Sequence, residues 1–288
     1  MATPQNIAIV GLGLIGGTIA NQINIKHPSS HITGLDFNNN YLNKALKSGV
    51  IQTSASQIED LPETIELVII ATPLDTIRSV LNTLSNHFKT PTTLLDVGSV
   101  KEALCAPPIP FPDHITYIPG HPMTGREKTG YEHASVSLIP GSVFIICPTD
   151  PTQEPVQQVE QFLTSLEFKV LHMTPEDHDR AMADVSHFPY LTAVLTTLST
   201  TNDPDTIAPL IANGFKDTTR VASSDPNWGV AVSTMNKPAI LDTINRFQNH
   251  LNALKSALES DDTRQLLSLY QEAKVARDDL MAQSTKSK

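Results

Sequence analysis

Cysteine is scarce in this chain: Cys105 and Cys147 are the only two among 288 residues. Their separation fits neither a metal-ligand motif nor a disulfide framework, so no metal site and no oxidised scaffold are expected. A reducing, cytoplasmic location is the simplest expectation. Long apolar runs are missing too. Stretches such as Leu67 to Ala71 are far too short to span a bilayer, which takes about 20 apolar residues, so no membrane partner is expected. A first strand can begin at Asn6, leaving no room ahead of it for a secretory leader. Positive charge is in deficit, with 20 Lys and Arg against 30 Asp and Glu. A chain of that sign repels phosphate backbones, so no nucleic-acid partner is expected. An anionic substrate would have to be held by a few local cations.

What is present is an alternation of short β-rich runs with helical stretches over the first half, the pattern of a parallel α/β sheet. Asn6 to Val10, His31 to Asp36, Leu67 to Ala71 and Thr93 to Val97 read as its strands. Ile115 to Ile118, Ser142 to Cys147 and an edge strand at Phe168 to His172 follow. The Pro-rich segment Ala106 to Asp113 reads as a loop. Beyond Thr174, a helix N-cap followed by Pro175 and acids, only helical periodicity remains, with an interruption near Ser260 to Asp262. The expected architecture is α/β: a Rossmann-type parallel-sheet domain over residues 1–173, then an all-α domain over 174–288. Ser284 to Lys288 reads as a frayed tail.

Gly11-Leu-Gly13-Leu14-Ile15-Gly16-Gly17 lies between the first strand and a helix. Gly11 permits the tight turn, Gly13 lets a pyrophosphate approach the backbone, and Gly16 lets helix and strand pack closely. Leu14 and Ile15 open the helix whose free amides would face the phosphates. Asp36, about 20 residues on, ends the second strand and can accept the ribose hydroxyls. The same acid would repel a 2′-phosphate, and Phe37-Asn-Asn-Asn supplies no arginine to offset it. NAD is therefore the expected cofactor rather than NADP.

Ligands of such sheets lie beyond the carboxyl ends of the strands. Polar groups sit there in Thr72-Pro73, in Asp96-Val-Gly-Ser99-Val-Lys101 and in Gly120-His121-Pro-Met-Thr-Gly125-Arg126-Glu127. Individually each has a plain structural explanation, Thr72 and Ser99 as helix caps and His121 as a core histidine. Their combination carries more. The strings GLGLIGG, ATP, DVGSVK, GHPMTGREKTG, SHFPY and GFKDTTRVASSDP stand in the order found in prephenate and arogenate dehydrogenases. The chain resembles that family from the first strand to the middle of the helical half.

That resemblance implies an oxidative decarboxylation of a cyclohexadienyl substrate in tyrosine biosynthesis, with hydride passing from the ring to the nicotinamide. By the same resemblance His121 is the base at the 4-hydroxyl, and Ser99 bonds that hydroxyl and orients the nicotinamide. Thr72 and Pro73 line the cofactor, and Arg220 binds an anionic group of the substrate. Glu127 and Asp217 are implied beside Arg220 as an ionic latch, with Lys101 and Arg126 adding positive potential. His187 and Tyr190 are implied along the substrate. The chain departs from the family at Tyr190, where many prephenate-preferring members carry a second histidine, so prephenate and arogenate both stay open as substrates. The family also implies a homodimer formed through the helical half.

Two other readings share some of these features. A hydroxyacid dehydrogenase of the 3-hydroxyisobutyrate type would need a catalytic lysine, for which Lys216 is the candidate. A dinucleotide sensor without turnover would explain Gly11 to Gly17 and Asp36 but not the conjunction of Ser99, His121 and Arg220.

Overall fold

The computed structural model of the chain describes residues 3–200 and 203–286. Six strands form a parallel sheet: β1 (Asn6–Val10), β2 (His31–Leu35), β3 (Thr53–Ala55), β4 (Leu67–Ile70), β5 (Thr92–Asp96) and β6 (Ile115–Ile118). Their spatial order is β3-β2-β1-β4-β5-β6, the order of a doubly wound dinucleotide fold. Helices α1 (Leu14–Lys26), α2 (Asn39–Lys47), α3 (Ile77–His87) and the short α4 (Glu102–Cys105) connect them.

The sheet is covered on both sides, which is why its strands are apolar throughout. In β1, Ile7 and Ile9 face Ile19 and Ile23 of α1. Ala8 and Val10 point the other way, toward Leu81, Leu84 and Phe88 at the end of α3. Strand order reverses between β1 and β4, so the loops after these two strands flank the crevice where such folds bind ligands.

A second sheet was not anticipated as a separate body. It joins β7 (Gly120–Pro122), β8 (Val143–Ile146) and β9 (Lys169–His172), with β7 antiparallel to β8 and β8 parallel to β9. α5 (Glu154–Ser165) lies between β8 and β9 in the chain. His121, expected in a loop, thus stands on a strand, paired in register with Ile145. Gly120 makes this possible: a Cβ there would come within 2.7 Å of both the Asp96 carbonyl and the Phe144 ring.

The helical half begins as expected, with the Thr174 hydroxyl accepting from Asp177 N at 3.0 Å ahead of α6 (Pro175–Met182). A π-helical turn, Ala183–His187, leads into α7 (Phe188–Leu198). Short helices α8 (Pro204–Ile207) and α9 (Asn213–Thr219) follow, then a 3-10 turn at Arg220–Ser223 and α10 (Pro226–Met235). Ala231 and Val232 of α10 join the α3-side core of the parallel sheet. The chain packs as two compact units, residues up to Lys237 and from Pro238 onward.

The second unit holds α11 (Lys237–Glu259) from Pro238 onward and α12 (Thr263–Lys286). The break between them falls at the expected place, where Asp261 adopts a positive φ of 51°. α12 continues through Lys286, so the tail expected from Ser284 is helical as far as it is described; residues 287–288 lie outside the described residues. Leu251, Leu258, Leu267, Tyr270 and Val275 are all exposed on these helices. No helix among the described residues is long and apolar enough to cross a membrane.

One buried ion pair joins the parallel sheet to β7. The Lys101 ammonium, with no solvent exposure, contacts Asp96 Oδ1, and it donates to the Gly120 carbonyl at 2.6 Å. Removing one member of such a pair strands a charge in the interior, at a cost of about 3–5 kcal/mol. Lys101→Met should accordingly lower the urea midpoint of unfolding by a free energy of that order. Unchanged stability in equilibrium denaturation would show that the pair braces nothing.

Candidate active site

The cofactor side is built from the β1 loop outward. Gly11 has φ +96°, and a Cβ on it would meet the Ala71 carbonyl oxygen at 2.5 Å. Gly16 lies so close to the Gly11 carbonyl that a Cβ would stand 1.9 Å from it. Around Gly13 there is open space instead, as a loop that receives a pyrophosphate needs. Leu14 and Ile15 form the first residues of α1. Asp36, at the end of β2, accepts Leu12 N–H at 2.6 Å and Asn38 N–H at 2.7 Å. Its carboxylate is therefore fixed at the mouth of the loop. Thr72 Oγ1, after β4, is buried without a hydrogen-bond partner, and Pro73 beside it is exposed. These features fit a dinucleotide with free ribose hydroxyls.

The chemical side lies after β5 and on β7. Ser99 is buried and accepts from the Trp228 indole N–H at 3.3 Å. His121 is also buried, and its Nδ1 lies 2.9 Å from His178 Nε2. His178 Nδ1 in turn lies 2.7 Å from Asp179 Oδ1. The two Asp179 carboxylate oxygens accept the backbone N–H groups of Lys101 at 2.7 Å and Glu102 at 2.8 Å. Burial, then the neighbouring His178, Lys101 and His187, hold His121 well below the usual histidine pKa. His121 is thus a neutral imidazole near pH 7, the form able to accept a proton.

His187 belongs to the π-helical turn, a feature frequent at functional sites. Asn236 Nδ2 donates to the Asp179 carbonyl at 2.7 Å and lies 3.0 Å from His187 Nδ1. An amide donor at Nδ1 makes that nitrogen the acceptor, so the ring hydrogen sits on Nε2. Nε2 is the other buried polar atom with no partner among the described residues. Tyr190 is buried with its ring edge-on to Trp228 at 5.2 Å. Its hydroxyl abuts Gly229, where a Cβ would come within 2.4 Å.

Arg220 and Glu127 form an ion pair, with Nη1 3.0 Å from Oε2 on a largely open surface. A backbone N–H at Glu127, and then the Arg220 guanidinium, keep its carboxyl below the ordinary value. Asp217 is exposed on α9 and does not pair with Arg220. Lys101 corrects the expectation of a substrate-facing cation, since it is fully buried against Asp96. Arg126 is exposed. The thiols are inert: burial pushes Cys105 to about 11 and Cys147 to about 12. Among the described residues no group of His, Cys, Asp and Glu could hold a metal ion.

His178, Asp179, Asn236 and Trp228 were absent from the sequence reading. One signal pointed to the first two: His178, Asp179, Met182 and Ala183 form the buried face of the α6 segment. A histidine and an aspartate at core positions of an amphipathic helix require partners.

A glycine loop at the switch point of a doubly wound sheet, together with a buried neutral histidine, is the set of features expected of a dinucleotide-dependent oxidoreductase. Residues 19–172 match the model of the prephenate dehydrogenase nucleotide-binding domain, and 174–272 match the prephenate dehydrogenase dimerization domain. The chain belongs to the prephenate dehydrogenase family. It is 32% identical to the prephenate dehydrogenase of Bacillus subtilis, over 96% of this chain and 76% of that protein. The crystal structure of prephenate dehydrogenase from A. aeolicus, in complex with hydroxyphenyl propionate and NAD+, superposes with a TM-score of 0.84. That comparison has 29% identity and covers 97% of this chain and 99% of the other. Synechocystis arogenate dehydrogenase gives 0.76 at 26% identity, covering 96% and 99%.

The buried histidines make stability depend on pH. Burial, the leading cause, lowers His187 to about 4, whereas an unfolded histidine titrates near 6.5. Between these values the unfolded state binds more protons, so stability rises with pH through that window and is complete above it. The contribution of His187 is at most about 3 kcal/mol. Urea midpoints should fall from pH 7.5 to pH 5, and His187→Gln should flatten that slope; an equally steep slope in the variant would rule out this source.

Proposed function

We propose that this chain catalyses the NAD-dependent oxidative decarboxylation of prephenate to 4-hydroxyphenylpyruvate. The observation that carries the reading is His121, a buried neutral imidazole on β7 with its Nδ1 engaged by His178. When bound, NAD supplies the hydride acceptor. Gly11, Gly13, Leu14, Ile15 and Gly16 would hold its pyrophosphate, Asp36 its ribose hydroxyls, and Thr72 and Pro73 the wall beside it. Asp36 disfavours a 2′-phosphate.

As hydride leaves C4 of the ring, His121 takes the proton of the 4-hydroxyl. The bond from C1 to the ring carboxylate breaks, carbon dioxide departs, and the freed pair completes the aromatic ring. The proton then returns to the phenolic oxygen, so the turnover consumes none. Ser99 bonds the same hydroxyl and orients the nicotinamide. Arg220 exchanges part of its contact with Glu127 for a substrate carboxylate, which its planar fork matches. Asp217 stays near this gate, and His187 offers its Nε2–H to an acceptor on the substrate. The functional boundary falls near residue 173, between cofactor binding and substrate binding. The exposed leucines of α11 and α12 support a homodimer through the helical half, and a cytoplasmic location fits the reduced cysteines.

Arogenate is the second substrate the site admits. Tyr190 replaces the second histidine of many prephenate-preferring relatives and is packed against Trp228 and Gly229. Its phenol can bond a pyruvyl or an alanyl side chain alike.

The test is NADH formation at 340 nm with prephenate and arogenate, each against NAD and NADP. Prephenate with NAD should turn over; activity with neither substrate would sink the reading. His121→Asn should lower kcat by about 10²–10⁴-fold with little change in NAD affinity. Arg220→Ala should act mainly on KM. Wild-type behaviour of both variants would remove the assigned roles.

A further inference from the structure

We propose that His178 and Asp179 form with His121 a proton relay in which Asp179, acting through His178, sets the tautomer of His121 that serves as base. The inference rests on His121 being the base, and it assigns two positioning residues to that reaction. The three side chains follow one another through hydrogen-bond contacts. Asp179 Oδ1 lies 2.7 Å from His178 Nδ1, and His178 Nε2 lies 2.9 Å from His121 Nδ1. His178 is entirely buried and Asp179 almost so.

The hydrogen positions follow from the acceptor at one end. A carboxylate only accepts, so His178 must carry its hydrogen on Nδ1 and present a lone pair at Nε2. That lone pair accepts the His121 Nδ1–H. His121 is then left with its lone pair on Nε2, the nitrogen free to face a substrate. Reversal of either tautomer would set donor against donor or leave a buried polar atom unmatched.

The relay also answers a charge problem. Burial and the neighbouring His178, Lys101 and His187 make a proton on His121 costly. Lys101 is neutralised by Asp96, and His187 is a neutral ring oriented by Asn236. Asp179 is the carboxylate that contacts the histidine pair, and the Lys101 and Glu102 amides hold it in place. When His121 Nε2 takes the substrate proton, its Nδ1 proton shifts toward His178 Nε2. The positive charge then spreads toward the Asp179 carboxylate. The same division of labour operates in serine hydrolase triads, where the buried acid orients and stabilises an imidazolium.

Three variants decide it, with NADH formation from prephenate as the assay and NAD binding followed by fluorescence titration. Asp179→Asn should lower kcat by about 10²-fold or more, with KM and NAD affinity within about two-fold. The acid limb of its kcat/KM profile should move to lower pH, because the anion that favours the protonated pair is gone. A merely structural residue would not move that limb. His178→Gln retains a donor and an acceptor on one side chain but cannot take a proton, and should lose at least about tenfold in kcat. It also decides the matter should Asp179→Asn fail to fold for want of its contacts to the Lys101 and Glu102 amides. His121→Ala is the reference. A collapse in His121→Ala, with wild-type kcat and acid limb in the other two, would overturn the relay and leave the base in place. Wild-type activity in His121→Ala would overturn the base, and the relay with it.

Discussion

The buried pair of Lys101 and Asp96 is the constraint from which the site takes its shape. Two charges without solvent exposure survive only where further hydrogen bonds compensate them. Asp96 also accepts Gly98 N–H at 2.7 Å, the Tyr117 hydroxyl at 2.8 Å and Gly120 N–H at 3.3 Å. Lys101 spends a second bond on the Gly120 carbonyl. Burial, and then the Asp96 anion, push the Tyr117 phenol well above its ordinary value, so it stays a donor. The result ties both ends of the Val97–Val100 loop, which carries Ser99, to the residue immediately before His121. Backbone placement at the chemical centre thus follows from solvation of one ion pair.

A similar economy governs the three buried histidines. In the interior a charged imidazole is expensive, and His121 and His187 are both driven toward neutrality. Neutral rings must each have a defined tautomer, and defined tautomers need neighbours of known polarity. Asp179 supplies one through His178, and Asn236 supplies the other by donating to His187. Asn236 reaches the Asp179 carbonyl as well, so a single turn of α6 anchors both arrangements.

Much of the cofactor side could be read from sequence because its determinants are local. Gly11, Gly13 and Gly16 act through backbone sterics within one turn, and Asp36 ends the adjacent strand. The six parallel strands likewise follow from short apolar runs, apart from β3, whose three residues are mostly exposed. The chemical centre was harder. Lys101 read as a cation facing substrate, since nothing in DVGSVK reveals that its side chain turns inward to Asp96. His178 and Asp179 come to His121 across more than fifty residues, and no spacing rule reports such a meeting. β7 escaped notice because three residues, one of them a proline, carry no periodicity. What sequence concealed is where distant polar side chains meet, which packing alone decides.

The site divides its energy unevenly between gripping and reacting. Arg220 and Glu127 pair on an open surface, where solvent and salt screen the attraction and the contact is weak. An anion that reaches the guanidinium competes with Glu127 for a contact that solvent already weakens, as the proposed role of Arg220 requires. The His121 constellation is the reverse, with buried members, fixed tautomers and backbone amides as partners. Reorganising it would expose or strand several polar groups at about 1–3 kcal/mol each. The chain thus combines a weak, exchangeable ion pair with a fixed buried network, the combination the proposed mechanism needs, since binding must be reversible and proton transfer must find its acceptor already in place.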